Sequence, residues 1–196
     1  MTSTIQHATG PTTTDDGSTT WRIDPAHTHI EFSVKHLMIA KVKGRFTGVT
    51  GSVRLAPGLA GSSVEVVIDA SSIDTREAKR DAHLRSADFF DAEQFPNLTF
   101  RGGQVRPTGM GEFSVVGDLA IRGVTREVTL EVTDEGRGTD PWGGERAGFS
   151  ATTLIDRRDF GLTWNQALET GGVLVGNDVT ISLEVELVKE AAAAAA

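Results

Sequence analysis

The sequence predicts an all-β domain with one short helical insertion. Three features carry that reading. Apolar and polar residues alternate with period two through most of the chain. Its 22 glycines fall mainly between or within those runs, as turns and bends require. A single charged stretch, Asp74–Glu93, breaks the alternation.

In chain order, Met1–Thr20 holds ten Ser/Thr and one branched aliphatic residue, Ile5. Such a segment buries too little apolar surface to offset its ordering entropy, so residues 1–20 read as a disordered tail. From Trp21 the strands begin. Ile30, Phe32 and Val34 alternate with Glu31, Ser33 and Lys35. Further strands are expected at Val42–Leu55, Ser63–Ala70 and Asn97–Val105, with Gly44, Gly48 and Gly51 as bends in the first. Phe113, Val115, Gly117, Leu119 and Ile121 share one parity, as do Val128, Leu130 and Val132, and then Phe149, Ala151, Thr153 and Ile155. The last set is Val179, Ile181, Leu183, Val185 and Leu187. Turn signals stand at Pro57-Gly58, Pro107-Thr108-Gly109, Gly136–Gly144 and Gly171-Gly172, and Gly102-Gly103 and Gly143-Gly144 read as hairpin glycines. About eight antiparallel strands with short turns fit a sandwich or a barrel. Within Asp74–Glu93, Ala78, Ala82 and Phe89 share a helical face, Asp74 is a candidate cap with Glu77 three residues on, and Pro96 blocks continuation. One or two short helices over an end or side of the sheet follow. The folded domain is expected over residues 21–189, with an Ala-rich tail at 190–196.

Composition narrows the function. The 196 residues carry 19 Lys+Arg against 27 Asp+Glu, a net charge of −8. Such a chain is a poor general binder of nucleic acid or of anionic membrane. With no Cys and no Tyr, disulfides, thiolate metal sites and cysteine or tyrosine chemistry are excluded. No stretch reaches the ~18 apolar residues that span a bilayer. There is no basic start followed by an apolar run, so no secretory signal is read, and a cytoplasmic location is expected. No G-x-S-x-G, phosphate-binding glycine loop or H-E-x-x-H occurs.

The dry face mixes Phe32, Phe100, Phe113 and Phe149 with Ala70, Gly102, Gly117 and Ala151. The small residues either fit the taper of a packed core or leave room for an apolar tunnel. A tunnel would suit a chain-like lipid, since burying hydrocarbon contributes roughly 0.8 kcal/mol per methylene.

The polar candidates each have two readings. His36 continues the apolar parity of Ile30, Phe32 and Val34, and is either satisfied by a backbone carbonyl or a donor to a ligand head group. His27 and His29, two apart, could share a metal but lack a third ligand by pattern, and His27 could instead brace the loop at Asp24-Pro25. Arg76, Lys79, Arg80, Asp81, His83 and Arg85 are either a solvated helix face or a clamp for phosphate or carboxylate. In Arg157-Arg158-Asp159, the Asp is expected to pair with an Arg and fix the turn. Trp164 reads as packing or as part of an apolar rim.

Several blocks, in order, resemble the YceI-like family of bacterial lipid-binding proteins. They are Trp21-Arg22-Ile23-Asp24-Pro25-Ala26-His27; Phe32-Ser33-Val34-Lys35-His36-Leu37 followed by Val42-Lys43-Gly44-Arg45-Phe46; the run Arg80–Asp91 with Phe95-Pro96 and Thr99-Phe100; Gly117–Thr125; and Arg157-Arg158-Asp159-Phe160-Gly161. The resemblance spans Trp21 to about Val188. It implies an extended, eight-stranded antiparallel lipocalin-like β-barrel, often a homodimer, whose pocket holds a polyprenyl chain such as an isoprenoid quinone or polyprenyl phosphate, or another long-chain amphiphile. Many members are periplasmic; this chain carries a Thr-rich tail in place of a signal. The family supplies no agreed catalytic residues.

These readings combine into a non-catalytic carrier or store for an isoprenoid lipid, with no resident cofactor or metal and no stable membrane insertion. Phe32, Phe46, Phe89, Phe90, Phe100 and Trp164 are expected to line the tunnel or its mouth. Arg80, His83 and His36 are expected to meet the head group. Two rivals are an enzyme using His36 or His83 as general base on a lipid head group or small apolar molecule, and a stress-related interaction module with a solid core.

Overall fold

The computed structural model describes residues 16–168 and 172–191. Eleven strands form one antiparallel sheet: β1 (Thr19–Ile23), β2 (His29–His36), β3 (Ala40–Phe46), β4 (Val49–Leu55), β5 (Ser63–Asp69), β6 (Ile73–Asp74), β7 (Asn97–Gly109), β8 (Glu112–Ile121), β9 (Val124–Thr139), β10 (Glu145–Asp156) and β11 (Val175–Lys189). The order β1-β4-β5-β7-β8-β9-β10-β11 closes through pairing of β1 with β11, which makes a barrel of eight. Closure leaves that ring without unpaired edges.

Strands β2 and β3 prolong the walls begun by β1 and β4. β11 is long enough to pair with β1 at Leu187–Lys189 and with β2 at Val175–Glu184. Two interruptions separate the halves. Between β1 and β2 the chain turns at Asp24-Pro25, where the Asp24 carboxylate accepts from the Ala26 amide (3.0 Å) and from His27 Nδ1 (3.0 Å). Between β3 and β4 it passes Thr47-Gly48, where an added Cβ would stand 3.0 Å from that of Asp69. The stretch expected as one strand, Val42–Leu55, is thus two.

The period-two sets face the lumen as their parity requires. Phe113, Val115, Leu119 and Ile121 from β8, Val128, Leu130 and Val132 from β9, and Val179 to Leu187 from β11 all line the interior. Some turn signals were displaced. Gly102-Gly103 lies within β7, at a register shift against β8, and is a bulge. β7 runs on through Pro107 to Gly109, and β9 through Gly136 to Thr139. The turn at Gly171-Gly172 falls partly outside the described residues. Residues 1–15 and 192–196 of the tails lie wholly outside them. The last residues of the first tail are already structured: Thr19 and Thr20 begin β1, opposite Leu55 and Arg54.

The insertion between β5 and β7 holds one α-helix, α1 (Ala78–Arg85). Its cap is Glu77, whose carboxylate accepts from the Lys79 and Arg80 amides (3.1 and 2.6 Å). Asp74, the expected cap, lies in β6 and is paired with Arg45 (2.9 Å). The helix does not dock through Ala78 and Ala82, which are exposed. It buries Asp81, whose carboxylate accepts from the amide (2.9 Å) and hydroxyl (2.5 Å) of Thr75. Arg85 donates to the Ser71 and Ile73 carbonyls (2.7 and 2.8 Å). Eight residues are too few for a helix to persist alone, so these side-chain bonds to the preceding segment, Ser71–Thr75, hold it in place.

Candidate ligand-binding site

The barrel is hollow. A cavity of about 610 Å³ runs along its axis and is lined by all eight walls. That volume is in the range of small-molecule sites, roughly 300–1,000 Å³. The solid-core expectation is therefore overturned: the interior is not filled by the protein's own side chains.

The source of that room differs from the expectation. Gly102 does not leave space for a guest, because a Cβ there would lie 3.0 Å from the Phe100 ring and 2.9 Å from a Val64 methyl. Gly117 likewise faces the Phe100 ring, at 2.7 Å, and Gly44 faces that of Phe32. The wall glycines let aromatic rings lie against the sheet. Ala70 sits in a 3-10 turn and is wholly buried, outside the cavity lining. The free volume comes instead from the circumference of eight strands, with Ala151 as a small residue that does line it.

Polar side chains gather at the ends of this apolar bore. At the end carrying α1 and residues 157–168 and 172–174 stand Lys35, His36, Lys79, Arg80, His83 and Arg157. His36 is the last residue of β2, half-buried, and its ring has no hydrogen-bond partner among the described residues. Arg80 reaches over Thr75, with Nε donating to Oγ1 (2.7 Å) and Nη2 to the carbonyl (2.8 Å). His83 Nε2 is 2.8 Å from Asp88 Oδ2. Its ring stands edge-on to Phe89 (5.1 Å) and Trp164 (4.6 Å). Phe89 and Trp164 also touch (5.3 Å), so the three rings form one rim. Phe46 packs between Phe32 (5.9 Å) and Phe90 (5.7 Å), which ties the insertion to the β2–β3 wall. All nine residues singled out in the sequence border the cavity: Phe32, His36, Phe46, Arg80, His83, Phe89, Phe90, Phe100 and Trp164.

Arg157 was read only as part of a turn, yet it is 4 % exposed and borders the cavity. It donates to the carbonyls of Gly176 (2.9 Å), Trp164 (2.9 Å) and Leu162. Burial works against its charge and lowers its pKa, while the nearby Asp156 favours it. The signal was available: Phe149, Ala151, Thr153 and Ile155 face inward, and Arg157 continues their parity. The carboxylate that pairs with the following arginine is Asp156, at 2.5 Å from Arg158, and not Asp159. That pairing, with the Arg158 amide, holds Asp156 at a pKa of about 2.

The His27 question is answered outside the barrel. Its ring braces Asp24 and approaches Glu186 (3.8 Å), so the turn does bring two carboxylates within metal-ligand range of one imidazole. The same carboxylate oxygens are already met by Arg146 Nη1, at 2.7 and 2.5 Å, and Arg146 Nε meets Asp140 at 3.0 Å. The guanidinium supplies the cation this cluster calls for. Asp24 is held at a pKa of about 2 by the hydrogen bonds from His27 and Arg146.

Against known proteins, the model of the YceI-like domain matches residues 21–187, essentially the whole barrel. The chain belongs to the YceI-like family. A UPF0312 protein of Vibrio parahaemolyticus is 44% identical to this YceI-like chain over 136 residues, 69% of it and 72% of the relative. Among solved structures, the Campylobacter jejuni YCEI protein superposes with a TM-score of 0.68 at 30% identity, covering 80% of this chain and 90% of that one. A polyisoprenoid-binding domain from Saccharophagus degradans superposes at 0.64 with 16% identity, covering 87% and 98%, a likeness of fold.

Proposed function

We propose that this YceI-like protein binds and carries, or stores, a long-chain amphiphile with an isoprenoid tail, such as an isoprenoid quinone or a polyprenyl phosphate. The observation that carries the proposal is the 610 Å³ apolar bore ending in a cationic, aromatic mouth. Hydrocarbon moved from water into that bore gains roughly 0.8 kcal/mol per methylene. Lost chain and association entropy offset part of this. The lining between the ends is mostly aliphatic and aromatic, with Thr153 a polar exception, so the tail is selected mainly by length and girth. The head group is selected at the mouth. There Arg80 presents a guanidinium already oriented by Thr75, the His36 ring has no hydrogen-bond partner among the described residues, and Lys79 adds charge. A phosphate or quinone carbonyl is the kind of acceptor these donors suit. The polyisoprenoid-binding neighbour of like fold supports the same reading.

The arrangement does not favour catalysis. His83 has a carboxylate partner, but no hydroxyl hydrogen-bonds its ring among the described residues, so no activated nucleophile is set up. The test is direct. Protein purified under native conditions is extracted with organic solvent and the extract analysed by mass spectrometry, and stripped protein is titrated with a fluorescent prenyl phosphate. A released prenyl lipid together with saturable uptake is expected. Protein that is consistently empty and takes up no prenyl probe overturns the proposal.

A further inference from the structure

The hairpin joining β2 to β3 ends in Leu37-Met38-Ile39, exposed at 36, 52 and 86 %. Three consecutive apolar residues at a barrel tip expose hydrocarbon that most soluble surfaces avoid. The turn is also the wrong chemistry for its backbone. Leu37 and Met38 both take left-handed φ, +51° and +61°, a pattern that favours Asn and Gly. At the β8–β9 turn the chain uses Arg122-Gly123 for the same conformation, with glycine second. At the β2–β3 tip it keeps two bulky apolar residues instead.

The charge along the hairpin's own strands differs from that of the chain as a whole, although Asp178 lies on the neighbouring β11. The chain carries −8 overall, yet from Phe32 to Val64 it has no Asp or Glu and five Lys/Arg. Lys35, Lys41 and Lys43 are exposed and make no ion pair among the described residues. Lys35 and Lys41 are register partners. Like charges opposite one another oppose pairing, so an external anion would relieve the strand pair. The apolar turns at the far end have the opposite surroundings: Met110 lies beside Glu112, and Trp142 lies between Asp140 and Glu145. The tip also adjoins the cavity mouth, since the Leu37 amide bonds the Leu174 carbonyl (2.9 Å) and both His36 and Leu174 line the cavity.

We infer that the Leu37-Met38-Ile39 tip, with Lys35, Lys41 and Lys43 behind it, docks the barrel mouth reversibly onto an anionic lipid surface. The apolar side chains enter the boundary between head groups and acyl chains while the lysines meet lipid phosphates. The acidic remainder of the chain is repelled, which orients the molecule mouth-down. This surface goes beyond the cavity reading and does not depend on it, because adhesion and cavity occupancy are separate measurements.

Flotation with vesicles of phosphatidylcholine, with and without phosphatidylglycerol, tests it. Wild-type protein is expected to float with the anionic vesicles only, and less as salt rises. Leu37→Asn with Met38→Gly installs residues the turn conformation favours, so the fold is kept and flotation is expected to be lost. Lys41→Gln with Lys43→Gln is expected to weaken anionic-vesicle binding about 30-fold. Met110→Ser and Trp142→Ser at the far end are expected to change nothing. No flotation of the wild type, undiminished flotation of the Leu37/Met38 variant, or loss through Met110 or Trp142 overturns the inference. Prenyl-probe uptake by the same Leu37/Met38 variant reads the cavity separately.

Discussion

At one end of the barrel, tight turns around Met110 and Trp142 join consecutive strands, and Arg146 ties Asp24, Asp140 and Glu186 together across three elements. Trp21 is buried there beneath Arg137 and Lys189, 5.7 and 5.9 Å from its ring. At the other end, a long insertion, residues 70–96, and the segment that follows β10 from Arg157 to Leu168 accompany the tight β2–β3 and β8–β9 turns. They bring Arg80, His83, Trp164 and Arg157 to the mouth of the bore. The same meander thus carries its ion network at one end and its long insertion, with the polar and aromatic side chains that border the bore, at the other. Charged groups at the first end satisfy each other. At the second, several are held by neutral groups, Arg80 by Thr75 and Arg157 by backbone carbonyls.

Four experiments would sharpen or break this contrast. The largest effect is expected from Ala151→Trp, which places an indole in the bore. Displacing about four methylenes of ligand, ~3 kcal/mol, should weaken prenyl binding about 100-fold. Thermal stability equal to or above wild type in a melting experiment would show that an occupied void, not a damaged fold, is responsible. Next, Arg80→Ala should weaken a prenyl phosphate about 10-fold, by loss of a charge-assisted hydrogen bond. It should leave a prenyl hydrocarbon without a head group unchanged; equal loss for both would place the head group elsewhere. Third, Arg146→Ala should lower the melting temperature while prenyl titrations stay unchanged, because the three carboxylates it joins lie outside the bore.

The smallest effect is in acid. Asp24 and Asp156 have folded pKa values of about 2, below the unfolded value near ~3.9. Their contribution to stability is fully present above the unfolded value. It is lost as pH falls from about 4 through about 2. Stability measured by denaturant titration should fall over that window, and less steeply in Asp24→Asn and Asp156→Asn. A slope unchanged in both variants would remove these carboxylates as the cause.

Much of the barrel was legible in the residues because one dry face forces a strict period of two: Phe113 to Ile121 and Val179 to Leu187 could point nowhere else. Long-range features were less so. The break at Thr47-Gly48 depends on Asp69, at the end of β5, and Ser72, in the 3-10 turn after it, coming close. The bulge at Gly102 depends on register against β8. The helix was legible, but not its attachment: Asp81 is buried because Thr75 offers it two donors, and no local pattern announces that. The aromatic residues of the site followed from parity and from the resemblance. Arg157 was passed over because a charged residue after a strand reads as a turn when its three carbonyl partners are not in view.

Gly44 and Gly102 carry a consequence for the guest. Each lies beneath a phenyl ring, Phe32 and Phe100, and an added methyl at either would meet side-chain atoms rather than backbone. Replacing either by alanine should tilt the ring off the wall and into the lumen. The calibre of the bore is thus governed from the layer behind its lining. A substitution at Gly44 or Gly102 should change the girth the bore admits from a position outside its lining.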